Sequence, residues 1–515
     1  MRQLILLLTI LWLPLATLLA EENKRIVEGL SMTSKILEQE VKYSIVLPEG
    51  YFSGKKNYPV VYLLHGLGDN ESSWLEYGRI AQIADAALVE KEIIPMIYIM
   101  PQGYRNYYVN DYAGTFLYED MFVNEMVPFI DTMYRTIADK GHRAAMGYSM
   151  GGFGALILPV RHPEVFSVSV PLSISVRTDA QYMVEDASEW NDQWGRLFGG
   201  VGTTGEARIT DYYKKYSPFH LFGSLDAQQF LDLKLFIDNG DDEYTLCRSN
   251  EELHILLRDL EISHEYRVRD GGHEFSYWRE ALPNALHFIS DSFEGNAYRG
   301  DEPRDSKKVK YPKVSFVQSE RYSVALPPGF DAASRQYPAI YLFGDLNSDR
   351  RQTIAGLAHI GMRDGSLPPM LLVFLNEGEV SLMDTVIPEV ESNYNARNGY
   401  RFRAIFGFEE GGVFALQNAL QPETFTSCVL FESHIDIESL KAVIASNKSA
   451  MKRMWLLISV SDTNMDYLSN GEAHMLLRDE DIYHEYRVAE GGRELQISNS
   501  RLSEAFQFTS EKIHR

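Results

Sequence analysis

Five consecutive residues, Gly147-Tyr148-Ser149-Met150-Gly151, set a hydroxyl between two glycines. In the pattern G-x-S-x-G the glycines permit a strained turn from strand into helix, which lifts the serine oxygen clear of the backbone and leaves it open to attack a carbonyl carbon. The flanks suit such a turn: Arg143 to Met146 reads as a short strand and Gly152 to Leu158 as the opening of a helix. The bland alternative is a glycine-rich helix start whose serine only caps. A nucleophilic serine on this kind of turn needs an acid and then a histidine further along the chain. His264 and His273 qualify by order, and the loop after Leu233 to Ile237 offers Asp238, Asp241, Asp242 and Glu243. The tetrahedral intermediate also needs backbone N–H donors. Met150, next after the serine, supplies one, and the early loop His65-Gly66-Leu67-Gly68 supplies the other, with Leu67 as the donor and an ordinary turn as the alternative.

An internal repeat narrows these choices. Tyr43 to Tyr51 returns as Tyr322 to Phe330, and Tyr58 to Leu63 as Tyr337 to Leu342, both 279 positions later. Arg143 to Gly147 returns as Arg403 to Gly407 at 260, and His264 to Val268 as His484 to Val488 at 220. Four ordered matches read as a duplicated domain whose second copy lost residues in two places. The larger loss is expected in the counterpart of Ser173 to Ser217. The second copy keeps His264 as His484 but has Arg493 where the first has His273, and Glu409 where the first has Ser149. Positions lost together are positions that worked together, which favours His273 as the base. At the offset of 220 Asp242 faces the retained Asp462 and Glu243 faces Thr463, so Glu243 is the preferred acid and Asp242 the alternative. The loop at Gly344 to Asn347 has also lost its pattern, and the second copy is expected to be inactive.

These residues need a scaffold. Short apolar runs at Val60 to Leu64, Met96 to Met100 and Leu233 to Ile237 alternate with longer amphipathic stretches such as Phe122 to Tyr134, an α/β pattern. Apolar runs without polar alternation argue for central strands covered on both faces by helices, as in a mostly parallel sheet. The expected organisation is residues 1–20 as a signal peptide, 21–298 as a catalytic domain, 299–310 as a polar linker, and 311–515 as a shortened, degenerate copy.

The 515 residues carry a net charge of −23, a field that repels nucleic acid and anionic lipid except at some local basic patch the sequence does not reveal. Cys247 and Cys428 are too few for a disulfide scaffold or a thiolate metal cluster. Met1 and Arg2, the apolar run from Leu4 and the small residues to Ala20 have the order of an export signal cut after Ala20. A secreted or periplasmic protein without stable membrane insertion follows. The rival is an amino-terminal anchor, since the 17 residues from Leu4 to Ala20 lie at the lower limit for spanning.

Tyr62 to Gly66, Tyr107 to Asn110, Gly147 to Gly152, Ile237 to Asp242 and Gly271 to Trp278 resemble the putative esterase family of α/β-hydrolases, over most of residues 35–290. That family includes feruloyl and acetylxylan esterases, S-formylglutathione hydrolases, enterochelin esterases and mycolyltransferases. The resemblance implies two tandem α/β-hydrolase domains, the second shortened, and no cofactor or metal. The implied reaction is hydrolysis of a carbohydrate or small-molecule ester through an acyl-enzyme, with feruloyl or acetyl groups on plant-type polysaccharides as the best-fitting branch. In the family's pattern the acid maps to Glu243, although Asp is commoner there. Aromatic loop residues, Tyr104, Tyr107, Tyr108 and Trp190, are candidates to line an acyl or sugar site. For the second copy a packing role, a homodimer surface and a carbohydrate-binding module stay open. For the whole chain a glycan-binding scaffold and an acyltransferase are the competing classes.

Overall fold

The computed structural model describes residues 24–224, 230–301, 310–331, 335–376, 381–491 and 499–513. The expected signal peptide, most of the expected linker and Arg493 lie outside them. By contact the chain divides into two units, one of Met1–Asp238, Leu256–His264 and His273–Arg304, the other of Asn239–Ile255, Glu265–Gly272 and Asp305–Arg515.

The first unit is built on strands β1 (Ile26–Ser34), β2 (Gln39–Val46), β3 (Val60–Leu64), β4 (Ile97–Pro101), β5 (Arg143–Tyr148), β6 (Val168–Leu172) and the start of β7 (Lys234–Gly240). They lie in the order β1-β2-β4-β3-β5-β6-β7. β1 and β2 are antiparallel to their neighbours, and from β4 onward the pairings are parallel. Every residue of β3, β4, β5 and β6 is buried, because helices cover both faces and leave no side of the pleat for polar residues. Helix α1 (Ile80–Val89) packs on one face with α2 (Phe275–Phe293), whose Trp278, Leu282, Ala285, Leu286 and Ile289 recur at helical spacing and meet Leu63, Met146, Val170 and Phe236.

The second unit holds β8 (Glu265–Arg269), β9 (Phe316–Gln318), β10 (Tyr322–Ala325), β11 (Ala339–Phe343), β12 (Leu371–Leu375), β13 (Arg403–Phe408), β14 (Ser427–Phe431), β15 (Trp455–Ser461) and β16 (Glu485–Ala489). Their order is β8-β16-β15-β14-β13-β11-β12-β10-β9. From β10 to β15 it repeats the order and directions of β2 to β7. Several short helices and turns separate β6 from β7, whereas one helix, Ile437–Met451, separates β14 from β15.

The contact division also places two earlier segments with the residues from Asp305 onward, and the reason is chemical. The segments Asn239–Ile255 and Glu265–Gly272 are tied to residues near the end of the chain. β8 runs antiparallel to β16 through Val268 and Val488. Arg267 meets Asp462 at 2.5 Å and Arg487 meets Asp241 at 2.6 Å, all four buried. Between them Glu251 accepts hydrogen bonds from Tyr266 at 2.8 Å and Tyr486 at 3.2 Å. Both cysteines are free and buried, and no helix among the described residues is long and apolar enough to cross a membrane.

Candidate active site

Ser149 sits between β5 and the helix Met150–Arg161 with φ 59° and ψ −120°, a conformation that costs a side-chain-bearing residue on the order of 1–3 kcal/mol and persists only where the surroundings impose it. Three backbone bonds impose it here: Ser149 N–H donates to Leu172 O at 3.0 Å, and Ser149 O accepts from Phe153 and Ser175 at 3.0 and 3.1 Å. The helix can leave the strand this tightly only without side chains at the crossing. A Cβ on Gly147 would lie 2.3 Å from Gly151 O, and one on Gly151 would lie 2.1 Å from Leu64 O. The Ser149 hydroxyl makes no capping bond, which removes the capping alternative.

The loop after β3 is held by His65. Burial holds the imidazole below its ordinary pKa, so it is neutral near pH 7. Its Nε2 accepts from Gly103 N–H at 2.7 Å, which leaves Nδ1–H to donate to Gly66 O at 2.8 Å. Asp69 N–H donates to the same carbonyl at 3.2 Å. Gly66 O and Leu67 N–H belong to one trans peptide, so tying the carbonyl down on one side aims the N–H to the other. Among the described residues Leu67 N–H has no acceptor, and neither has Met150 N–H at the first turn of its helix. Two donors thus stand beside the serine without partners, the second at the positive end of a helix.

His273 is exposed in the loop before α2. Its ring meets Trp278 edge-on, with centroids 5.2 Å apart, while Trp278 stacks on Tyr148 at 4.1 Å and donates its Nε1–H to Ser173 Oγ at 2.8 Å. One indole therefore braces both the residue before the serine and the histidine. The sequence places Trp278 in the motif Gly271 to Trp278 but carries no signal for this bracing role. His264 hydrogen-bonds Ile262 O at 2.8 Å in a structural position, as does its counterpart His484 with Ile482 O at 2.9 Å.

In the second unit the acid loop separates its three carboxylates by environment. Glu243 is 3% exposed and accepts Gly240 N–H at 2.9 Å. Asp242 is half exposed and paired with Arg478 at 2.7 Å. Asp241 is buried against Arg487, and burial pushes its carboxyl up to about 7 despite that partner. Oxygens of Asp241, Asp242 and Asp270 lie within 4.8 Å of one another, the spacing of a cation site. Arg487 pairs with Asp241 and Asp270 and Arg478 with Asp242, so each of the three carboxylates already has a side-chain cation beside it.

The structure corrects the register used to compare the copies here. β7 and β15 have equal length and an offset of 221. Asp241 N–H donates to Arg269 O as Asp462 N–H does to Ala489 O, and the two carboxylates accept from Gly271 and Gly491 N–H. Asp241 is thus the counterpart of Asp462, and Glu243 faces Asn464. Glu243 remains a carboxylate the second copy lacks, but so does Asp242, which faces Thr463.

Two aromatic expectations are also corrected. Trp190 is fully buried, its Nε1–H bonded to Gly200 O at 2.8 Å and its ring under the Arg208 guanidinium at 4.8 Å. Tyr107 is buried with its hydroxyl bonded to Ser175 and Gln193 at 3.1 and 2.6 Å. Both are packed in the interior instead of lining an open surface, and Tyr108 is buried likewise.

Residues 34–289 match the family described as "Putative esterase". Over 130 residues the chain is 38% identical to an endo-1,4-beta-xylanase/feruloyl esterase of Xylanibacter ruminicola, a match covering 24% of this chain and 18% of that protein. It is 22% identical over 268 residues to an acetyl esterase of Caldicellulosiruptor saccharolyticus, covering 50% of this chain and 95% of that protein. A solved ferulic acid esterase aligns with 52% of this chain and 98% of its own at 29% identity and a TM-score of 0.44.

Proposed function

Residues 34–289 form an esterase domain of the α/β-hydrolase type, and on that premise we propose that the chain is an exported serine carboxylic-ester hydrolase that removes feruloyl or acetyl groups from polysaccharides. The observation that carries the reading is the strained Ser149 with two unpartnered N–H donors, Leu67 and Met150, beside it. Ser149 Oγ attacks the ester carbonyl as His273 takes its proton. The carbonyl oxygen becomes an oxyanion and is received by the two N–H groups, which are already oriented and so need no reorganisation. His273 returns the proton to the leaving alcohol. Water, deprotonated by the same imidazole, then cleaves the acyl-enzyme.

Glu243 is the residue we assign to orienting His273 and stabilising its charged form. Its burial and the bond from Gly240 N–H support this assignment over Asp242, whose carboxylate is engaged by Arg478. The choice of acyl group follows the relatives named for feruloyl and acetyl esters. Residues 1–20 act as the export signal, 21–298 as the catalytic copy, 299–310 as the linker and 311–515 as the degenerate copy. The second copy has no hydrolase activity: Glu409 stands at its elbow, bonded to Arg350 at 3.1 Å.

The test is turnover of p-nitrophenyl acetate, methyl ferulate and acetylated xylan by the chain from Glu21, beside Ser149→Ala. Turnover of at least one ester, abolished by the substitution, is expected. Turnover that survives Ser149→Ala, or none on any ester, overturns the reading.

A further inference from the structure

The second unit carries a basic, aromatic cleft of about 960 Å³ at the amino-terminal ends of β13 to β16, the opposite end of those strands from Glu409. Trp455 and Tyr483 form its aromatic part, 37% and 46% exposed, with ring centroids 5.3 Å apart. The Lys512 ammonium lies over the Trp455 ring at 4.4 Å. Arg401, Lys452 and Arg453 complete the rim, and among the described residues no carboxylate lines the cleft. Lys452 is answered by Asp481 at 2.7 Å, and Lys512 by Glu511 at 3.6 Å. Arg401 and Arg453 have no carboxylate partner among the described residues. In a chain of net charge −23 this is a local reversal of sign.

We propose that this cleft binds a carboxylate-bearing sugar, a uronic acid carried on an otherwise neutral polysaccharide. The two arginines offer planar N–H forks that match a carboxylate. The exposed indole and phenol rings offer apolar faces on which the C–H side of a pyranose rests. The volume suits a few sugar rings. Charge density excludes the rival polyanions: nucleic acid carries one charge per roughly 1.7 Å of duplex and would meet the acidic remainder of the chain over its whole length. A glycan with scattered uronates presents one charge at the cleft and neutral sugar elsewhere. That the occupant is a polysaccharide rests on the proposed function; the preference for a ring bearing a carboxylate rests on the cleft alone.

The experiment uses the full chain with Ser149→Ala, so that no ester is cleaved during binding. Affinity electrophoresis and calorimetry compare glucuronoxylan with the same polymer after its carboxyls are reduced to alcohols. Binding to glucuronoxylan about ten-fold tighter or more is expected. The exposed-site variant Arg401→Gln/Arg453→Gln should abolish the difference, and Trp455→Ala should weaken binding to both polymers. Equal affinity for the two polymers, a preference untouched by the double variant, or no binding to either overturns the proposal. Hydrolysis of p-nitrophenyl acetate by Arg401→Gln/Arg453→Gln in the Ser149 background should match wild type. An absence of hydrolysis alongside uronate-selective binding would sink the esterase reading and leave the cleft standing.

Discussion

Replacing Gly66 by alanine tests the oxyanion assignment without touching any reacting atom. Gly66 is not in the left-handed region, so the demand for glycine is one of space. Its added Cβ would lie 2.6 Å from Tyr148 Cε2 and 3.3 Å from Ser149 Cβ. Tyr148 cannot retreat: it is stacked on Trp278 at 4.1 Å, meets Trp74 at 5.0 Å and donates its hydroxyl to Asp69 at 2.6 Å. What yields is the loop, and with it the Gly66–Leu67 peptide that His65 and Asp69 hold. Losing one oxyanion donor costs about 10²–10³ in kcat, or about 3–4 kcal/mol of transition-state stabilisation. KM should change little, because the donor acts on charge that develops only after binding. The assay is steady-state hydrolysis of p-nitrophenyl acetate, with thermal unfolding as a check that the fold persists. A folded Gly66→Ala enzyme within about three-fold of wild-type kcat, less than 1 kcal/mol, would refute Leu67 as a donor.

Glu243→Gln should lower kcat by about four orders of magnitude, the scale at which a histidine loses its orienting carboxylate, whereas Asp242→Asn, a change to a half-exposed residue, should stay within about three-fold. The reverse ranking in kcat would move the acid to Asp242. Glu251 provides a pH signature in stability. Burial raises its carboxyl from 4.5 to about 7, against the bonds from Tyr266 and Tyr486. The unfolded chain therefore ionises first as pH rises, and at about 1.4 kcal/mol per unit the native state loses about 3 kcal/mol between pH 4.5 and 7. Glu251→Gln removes that loss, so urea unfolding should show the variant gaining on wild type from pH 5 to pH 8. A difference that does not vary with pH would contradict the shift.

The parts of the site legible in the sequence were those whose chemistry is written locally. The turn at Gly147 to Gly151 needs glycine for close backbone approach, the loop at His65 to Gly68 needs it beside the Tyr148 ring and at a positive φ, and Gly271 before His273 has a positive φ. The strands were legible because burial on both faces leaves unbroken apolar runs, as at Val60–Leu64. Side-chain environment was not. Nothing in the spelling of Trp190 or Tyr107 distinguishes a packed ring from a lining one, since both are aromatic residues in loops whose burial is set by distant partners. The one-residue slip at the acid loop arose because consecutive Asp241 and Asp242 can each be matched to a single Asp462, and only backbone hydrogen bonding separates them. The basic cleft was hidden for a related reason: Arg401, Arg453, Tyr483 and Lys512 are brought together by four separate turns and helix ends.

Glu409 shares the left-handed backbone of Ser149, φ 53° against 59°, though it bears no nucleophile. Its N–H still donates to Phe431 O, as that of Ser149 does to Leu172 O. A Cβ on Gly411 would still collide with Phe343 O at 2.5 Å, the counterpart of the collision at Gly151. The bend is therefore a demand of architecture, set by how closely a helix can follow a strand across its neighbour. The same tension in the backbone is held under a serine at one bend and under a glutamate at the other. An odd dihedral marks where a reactive group could be displayed; only the side chain standing there tells whether one is.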